Sequence, residues 1–377
     1  MTILTPKAYD LVVVGAGIVG LACAYQAFKR GLKVAVLERN AKCVGASIRN
    51  FGFVTVTGQR PGDHWRRARE SRDVWLEVAG NAGIPVLHRG LYLAAQRQEA
   101  KVVLEAFLQT EMAEQCRWLS AKEQRELLPF VKNMQAVLFS PLECRVESRE
   151  AIGQLAHWLE SACGVDFYWK TAVTSIDLPH VVTANGKVRT SYCIACPGHD
   201  LYSLFPNLQQ QAGIRMSTLQ MLRLVPAMPI KLPGAIMSDL SLVRYEGYSG
   251  LPQAQALLRR LQVEQPDHLK QGVHLIVVQS ADGSLVVGDS HVYDDAEDPF
   301  ASQARDELIL QEFERVINCS GSKITERWVG TYASADDVVH CVSPIPGAAI
   351  GIVTGGTGAS TAFAFARELV DTVLHSS

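Results

Sequence analysis

No window of this 377-residue sequence holds the roughly 18 or more apolar residues that a membrane-spanning helix needs, so a bilayer is not an expected partner. Charge of one sign is missing as well. The 36 basic residues against 38 acidic ones leave a formal charge of −2, too weak a field to gather nucleic acid or an anionic membrane surface. No internal repeat and no low-complexity segment occurs, which excludes solenoids and disordered arrays. The opening "MTILTPKAYD" is too short and too polar for a signal peptide, and a cytoplasmic location is expected. The nine cysteines are scattered and odd in number. They fit free thiols in a reducing compartment better than a disulfide framework. "CIAC", Cys193 to Cys196, has a redox-like spacing, but its surroundings read as a strand, where residues three apart point to opposite faces. Buried small apolar cysteines are expected there. No His/Cys/Asp spacing resembles a metal site, and no nucleophile elbow or Walker pattern occurs.

What is present is apolar content of 48%, enough for a large core, and a length that suggests two domains. "YDLVVVGAG" reads as a strand ending in glycines, "IVGLACAYQAFKR" as a helix stopped by Gly31, and "LKVAVLERN" as a second strand, together a parallel βαβ unit. "DHWRRARESRDVWLEVAGNAG" predicts a helix capped by Asp63, with an apolar stripe through Trp65, Ala68, Trp75 and Val78 and its arginines on a solvated face. Next come a strand "RGLYLAAQ", helices "EAKVVLEAFLQTEMAEQC" and "AKEQRELL", and an extended "AVLFSPLECRVES". "REAIGQLAHWLESACGVDFYWKTAVTSIDL" gives a helix, a turn at Gly164 and strands. Residues 214–318 read as short extended runs, "LVRYEGYSGLPQ" among them, with a hairpin at Asp282-Gly283 and a closing helix "PFASQARDELILQEFERVI". The end returns to strand, glycine turn and helix in "AAIGIVTGGTGASTAFAFARELVDTVL". The expected fold is α/β: a Rossmann-like domain from 1–88, 145–213 and 319–377, into which an α+β, antiparallel-sheet substrate domain from 89–144 and 214–318 is inserted.

Gly15-Ala16-Gly17-Ile18-Val19-Gly20 is a G-x-G-x-x-G between a strand and a helix. Gly15 permits the turn, Gly17 admits a pyrophosphate to the backbone, and Gly20 lets helix and strand pack closely. Phosphates would sit on the helix N-terminus, where unpaired N–H groups and the helix dipole favour negative charge. Glu38, with Arg39 beside it at the end of the second strand, is placed to accept ribose hydroxyls, and it disfavours a 2′-phosphate, so NADP is not expected. The motif alone does not separate NAD from FAD.

Four further segments do. The chain resembles, from Tyr9 to Leu374, the FAD-dependent amine and amino-acid oxidoreductases that include D-amino-acid oxidase, glycine oxidase and sarcosine oxidase. "GASIRNFG" looks like that family's small-residue loop across the pyrophosphate, which implies cofactor contacts at Ala46, Ser47, Asn50, Phe51 and Gly52. "GVDFYWKTAVTSID" resembles its adenine clamp, with Val173 as the clamp, and "CIACPGHD" its next strand end, with Pro197 and Gly198 against the cofactor. "IVTGGTGAST" is similar to its second glycine turn, Gly355, Gly356, Thr357 and Gly358, although Ser360 stands where the family usually has a further glycine. A helix N-terminus there favours charge on the reduced flavin.

The resemblance implies oxidation of an amine by hydride transfer to the flavin, with the inserted domain binding substrate. Tyr332 stands where amino-acid oxidases carry a carboxylate-binding arginine, and Val286 where sarcosine oxidase has an oxygen-activating lysine. No cysteine lies beside Tyr332, so the FAD is expected to be non-covalent. Arg49, Arg244, Tyr245 and Tyr248 offer a guanidinium and phenols suited to a carboxylate, phosphonate or sulfonate, and His274 and His291 lie on the hairpin strands. The "RNFG" loop and "RW-x-G-x-Y" turn resemble a branch linked to aminophosphonates. The expected substrate is thus a small anionic amine, an amino acid or 2-aminoethylphosphonate or its N-methyl form, with O2 as acceptor. The alternatives are a dehydrogenase with another acceptor and a flavin-carrying subunit without amine oxidation of its own.

Overall fold

The computed structural model describes residues 7–375; residues 1–6 and 376–377, at the outer limits of the expected Rossmann-like domain and including most of the polar opening segment, lie outside them. The strand Ala8–Val14 sits between Val34–Leu37 and Gly186–Ala195, parallel to both. Asp166–Tyr168 pairs parallel with Val34–Leu37, and Ala348–Gly355 parallel with Gly186–Ala195. Residues 11–14, 34–37, 193–195 and 348–352 of these strands are apolar because both faces of the sheet are covered there. On one face the helices Ile18–Lys29, Asp63–Ala82, Ser148–Ser161 and Gly358–His375 share a core with Leu11, Val13, Trp75 and Phe363. On the other lie Ile176, Val181, Leu201 and Leu204, brought there in part by the antiparallel meander Val173–Asp177, His180–Thr183 and Gly186–Ala195.

The inserted sheet is built around Arg215–Val225, which runs antiparallel to Leu285–Gly288, Val292–Asp294 and the first part of Lys323–Val342. Ile276–Gln279 and Leu285–Gly288 form the hairpin around Asp282-Gly283, where Gly283 has φ +84°. One pairing in this sheet is parallel, Ala235–Met237 beside Leu91–Leu93. The long strand Lys323–Val342 joins both sheets: residues 323–334 pair with Arg215–Val225, the register then shifts, and 339–342 pair antiparallel with Ala348–Gly355. Fully buried Arg145 bolts the junction by donating to the carbonyls of Phe51 and Gln279 and to Glu147 and Ser280.

Four local expectations differ from the structure. Asp63 is the first helical residue instead of the cap; Gly62 holds the cap position, and Asp63 pairs with Arg66 at 2.9 Å. The arginines of that helix are not all solvated: Arg67 reaches Glu368 at 2.8 Å and Arg72 donates to the Leu142 carbonyl at 3.2 Å. The helix Gln98–Phe107 stops short of the expected end because the Thr110 hydroxyl takes the Phe107 carbonyl, at 2.8 Å, where the next helical N–H would have bonded. "LVRYEGYSG", residues 242–250, follows the helical turn Asp239–Leu242 and itself forms the turn Glu246–Ser249 instead of an extended run. Its Gly247 N–H donates to Gly58 O at 2.9 Å, a tertiary contact that local alternation does not encode.

The stripe of the long helix is buried as its spacing predicts, at Trp65, Ala68, Trp75 and Val78. Trp75 meets Phe363 edge-on at 5.3 Å and donates its indole N–H to Ala359 O at 2.7 Å, fixing the start of the last helix. Cys193 and Cys196 fall in different cores, as the strand geometry requires, and all nine cysteines are free thiols. No helix among the described residues is long and apolar enough to cross a membrane. Replacing Trp75 by Ala is expected to cost about 3–5 kcal/mol of stability, read as a lower urea midpoint; an unchanged midpoint would show that this contact does not hold the helix pair.

Candidate functional site

One cavity of about 850 Å³ runs between the parallel sheet and the inserted sheet. Its floor begins where the first strand stops at Val14 and the first helix starts at Ile18. Gly15 turns the chain at φ +102°, and a Cβ there would lie 2.6 Å from Cys196 O. A Cβ on Gly20 would lie 1.9 Å from Gly15 O, so only glycine lets helix and strand approach this closely. Gly15, Gly17, Ile18, Val19 and Gly20 line the cavity, and Ala16 is buried behind them. Glu38 accepts the Ala16 N–H at 2.9 Å and, through its other oxygen, the Asn40 N–H at 2.9 Å. It therefore braces the glycine turn as well as facing the cavity.

The loop 45–52 crosses this turn. Ser47 Oγ accepts the Ile18 N–H at 2.9 Å and would meet a Cβ on Gly17 at 3.1 Å. Asn50 folds the loop on itself, donating to Ala46 O and Ser47 O and accepting from the Gly52 N–H at 2.7 Å. Gly52 has φ +67° and packs on Val146 O, outside the cavity wall, while Ala46, Ser47, Asn50 and Phe51 line it. Arg39, Val173, Pro197 and Gly198 line the same end, and Arg39 is ion-paired with Asp200.

Gly355, Gly356, Thr357 and Gly358 form a second turn on the wall, opening the helix Gly358–His375. Gly356 has φ +71°, with the Tyr332 ring 2.9 Å from where its Cβ would be. His64, absent from the sequence-based set, meets Thr357 Oγ1 at 2.9 Å. Burial, then the charges of Arg67 and Arg60, push its pKa down to about 4, so the imidazole is neutral. Ser360 accepts the Thr55 N–H at 2.8 Å, giving the residue that replaces the usual glycine a bracing role.

The opposite end is polar. Arg244, Tyr245, His274 and Tyr332 all line it. Arg244 Nη2 lies 3.2 Å from Tyr293 OH. Burial opposes its charge, but Tyr332, Tyr293 and Asp289 outweigh burial and raise its pKa. Burial pushes the Tyr332 phenol up to about 12 and the Tyr245 phenol higher still, so both are hydrogen-bond donors. Arg49 lies on the wall at the edge of the long strand, 3.4 Å from Val329 O and 3.9 Å from Glu297. Tyr248 is not brought to the cavity. It is fully buried against Phe107, at 4.7 Å, because the helical turn that replaces the expected extended run aims it into the core.

The fold also gathers a group that no sequence spacing reveals. His274 Nε2 lies 2.8 Å from Asp289 Oδ1, and His291 Nδ1 lies 3.7 Å from the same oxygen. The imidazoles stack at 5.4 Å with planes 20° apart, and their ligand-capable atoms and the carboxylate lie within 4.8 Å of one another. Burial opposes ionisation of Asp289, but the two imidazoles and Arg244 outweigh it and hold its pKa down to about 2. Burial keeps His274 neutral and, with Arg244, lowers His291 to about 3. The cluster therefore carries one negative charge beside one guanidinium. His291 and Asp289 line the cavity, whereas Val286 is buried in the core of the inserted sheet.

Comparison with known proteins agrees with this outline. The profile of the family described as FAD dependent oxidoreductase matches residues 10–372. Glycine oxidase of Bacillus licheniformis is 26% identical over 204 residues, 51% of this chain and 54% of that protein. D-amino acid dehydrogenase of Helicobacter pylori is 44% identical over 52 residues, 14% of this chain and 13% of that protein. The alignments thus span about half or less of these curated relatives. Among solved structures, glycine oxidase from Bacillus cereus superposes with a TM-score of 0.77 at 16% identity, covering 98% of this chain and 96% of that one. L-proline dehydrogenase from P. horikoshii gives 0.76 at 18% identity, covering 98% and 94%. At such identities the likeness is one of fold.

An elongated dinucleotide such as FAD fits the cavity: two glycine turns, each opening a helix, line its wall, and the first is braced by a carboxylate. Gly17→Trp is expected to abolish cofactor retention, since its ring would fill the space beside Ser47. A variant that purifies with its full visible absorbance would remove this turn from the cofactor site.

Proposed function

Because the chain belongs to the FAD dependent oxidoreductase family, we propose that it oxidises a small anionic primary or secondary amine, an amino acid or an aminophosphonate such as 2-aminoethylphosphonate or its N-methyl form. The observation that carries this is that one cavity has the glycine turns along its floor and Arg244, Tyr245, Tyr293 and Tyr332 at its far end. FAD, when bound, supplies the hydride acceptor. The residues of the chain bind, orient and exclude water. The Arg244 guanidinium is charged and flanked by phenolic donors, a combination suited to a phosphonate or carboxylate. Tyr332, in van der Waals reach of Gly356, sets the distance between the anion end and the second glycine turn. Leu219, Met221 and Ile276 make the intervening wall apolar, which favours a neutral amine over an ammonium at the reacting carbon.

Loss of two electrons and two protons from the amine gives an imine. Water hydrolyses it to a carbonyl compound plus ammonia or a smaller amine. With O2 as acceptor the balancing product is H2O2. A second reading, a dehydrogenase that passes electrons to a different acceptor, is favoured by Val286, an apolar and buried residue where sarcosine oxidase has its lysine. Re-oxidation in air separates the two, being slow for a dehydrogenase.

Anaerobic addition of sarcosine, glycine, D-alanine, 2-aminoethylphosphonate and its N-methyl form to the holoenzyme is expected to bleach the visible flavin band with one of them. With that amine, Arg244→Ala should raise KM by roughly 10- to 100-fold, the loss of one charge-assisted contact of about 1.5–3 kcal/mol. A neutral amine should be little affected. No bleaching by any of the five would favour the flavin-carrying subunit over the amine oxidoreductase, and an equal effect on both substrates would remove Arg244 from the anion site.

A further inference from the structure

Amine oxidation requires the nitrogen to lose its proton before the C–H bond is broken, and the far end of the cavity holds groups arranged for that task. We propose that His291 takes this proton from the bound ammonium group, with Asp289 as its counter-charge and His274 fixing Asp289 in place. The inference rests on the amine reading above and adds to it a named proton acceptor.

The geometry supports His291 over its neighbours. His291 Nδ1 faces Gly272 O at 3.3 Å and Asp289 Oδ1 at 3.7 Å, so Nδ1 carries the hydrogen and Nε2 has the free lone pair. His274 is committed, with Nε2 at 2.8 Å from Asp289 Oδ1 and Nδ1 at 3.4 Å from Ser241 Oγ. The phenols of Tyr245 and Tyr332 are protonated and cannot accept. The titratable and charged groups facing His291 are Asp289 before it on its own segment, His274 stacked on it, Arg244 from the turn above, and Tyr332, whose ring lies 6.1 Å away on the long strand.

Electrostatics makes the acceptor conditional on substrate. In the free protein, burial and then the Arg244 charge disfavour a proton on His291. An anionic group on Arg244 cancels that repulsion and leaves Asp289 as the unbalanced charge beside the imidazole. The same low-dielectric end weakens the ammonium's hold on its proton, because its hydration is lost. In the step, the N–H bond of the ammonium breaks, its electron pair stays on the substrate nitrogen, and an N–H bond forms at His291 Nε2. Charge moves by one proton and no co-reactant is needed. An amine lacking the anionic group leaves Arg244 unpaired, so it gains nothing from His291.

The test is the pH dependence of anaerobic flavin reduction by whichever amine bleaches the wild-type holoenzyme, compared with His291→Asn. If His291 receives the proton, the wild-type rate at saturating amine is nearly flat over several units below the amine pKa. The variant, which reacts only with amine already neutral in solution, rises about tenfold per pH unit and converges with wild type near the amine pKa. Parallel profiles in the two proteins would overturn the assignment while leaving the amine reading intact; a wild type bleached by no amine would overturn both. Should the variant not fold, proton release by wild type decides: no net release on binding supports His291, and release of one proton per amine bound overturns it.

Discussion

The structure depends on backbone approaching backbone without a side chain between. At Gly20 the first helix lies so close to the carbonyl of Gly15 that a Cβ would sit 1.9 Å from that oxygen, and at Gly52 the crossing loop lies equally tight on Val146 O. These two contacts bring the helix N-terminus, the loop 45–52 and the strand end into one wall made largely of peptide groups. Such a wall presents backbone N–H groups and a helix dipole to a phosphate. Everything that follows, from the brace at Glu38 to the Ser47 contact with Ile18, holds that wall in position.

The far end works by the opposite means. Its wall is made of side chains, and its chemistry comes from the balance of one guanidinium, Arg244, against one carboxylate, Asp289. Either charge alone would be costly to bury. Burial keeps both imidazoles neutral and both phenols protonated, so the site is rich in directed donors and acceptors. A substrate that brings its own anion and cation re-pairs both groups, whereas a neutral one pairs with neither. Under the proposed function, this exchange of partners would select for an amine that carries an anionic group. The long strand Lys323–Val342 carries Tyr332 at the junction of the two sheets, which fixes the distance between the flavin-like end and the charged end.

The G-x-G-x-x-G turn, the acid at Glu38 and the second glycine turn were legible because each depends on a few residues adjacent in the chain. The same holds for the stripe of the helix Asp63–Ala82 and the hairpin at Gly283. Tyr248 was misplaced because "LVRYEGYSG" reads as extended, whereas the helical turn Glu246–Ser249 aims its ring into the core. Asp289 and His64 went unnoticed because each gains meaning only from a partner far away in sequence: His274 and Arg244 for the first, Thr357 for the second.

The sequence by itself determined the family, the parallel βαβ unit and the glycine turns that line the cavity, since backbone conformation and short spacings are local properties. Tertiary structure alone decided which cations and phenols share a cavity. It also decided which histidine has an open lone pair and that one strand spans both sheets. Those outcomes depend on where an inserted sheet folds back over the first, and on burial and the field of distant charges, which no spacing along the chain records.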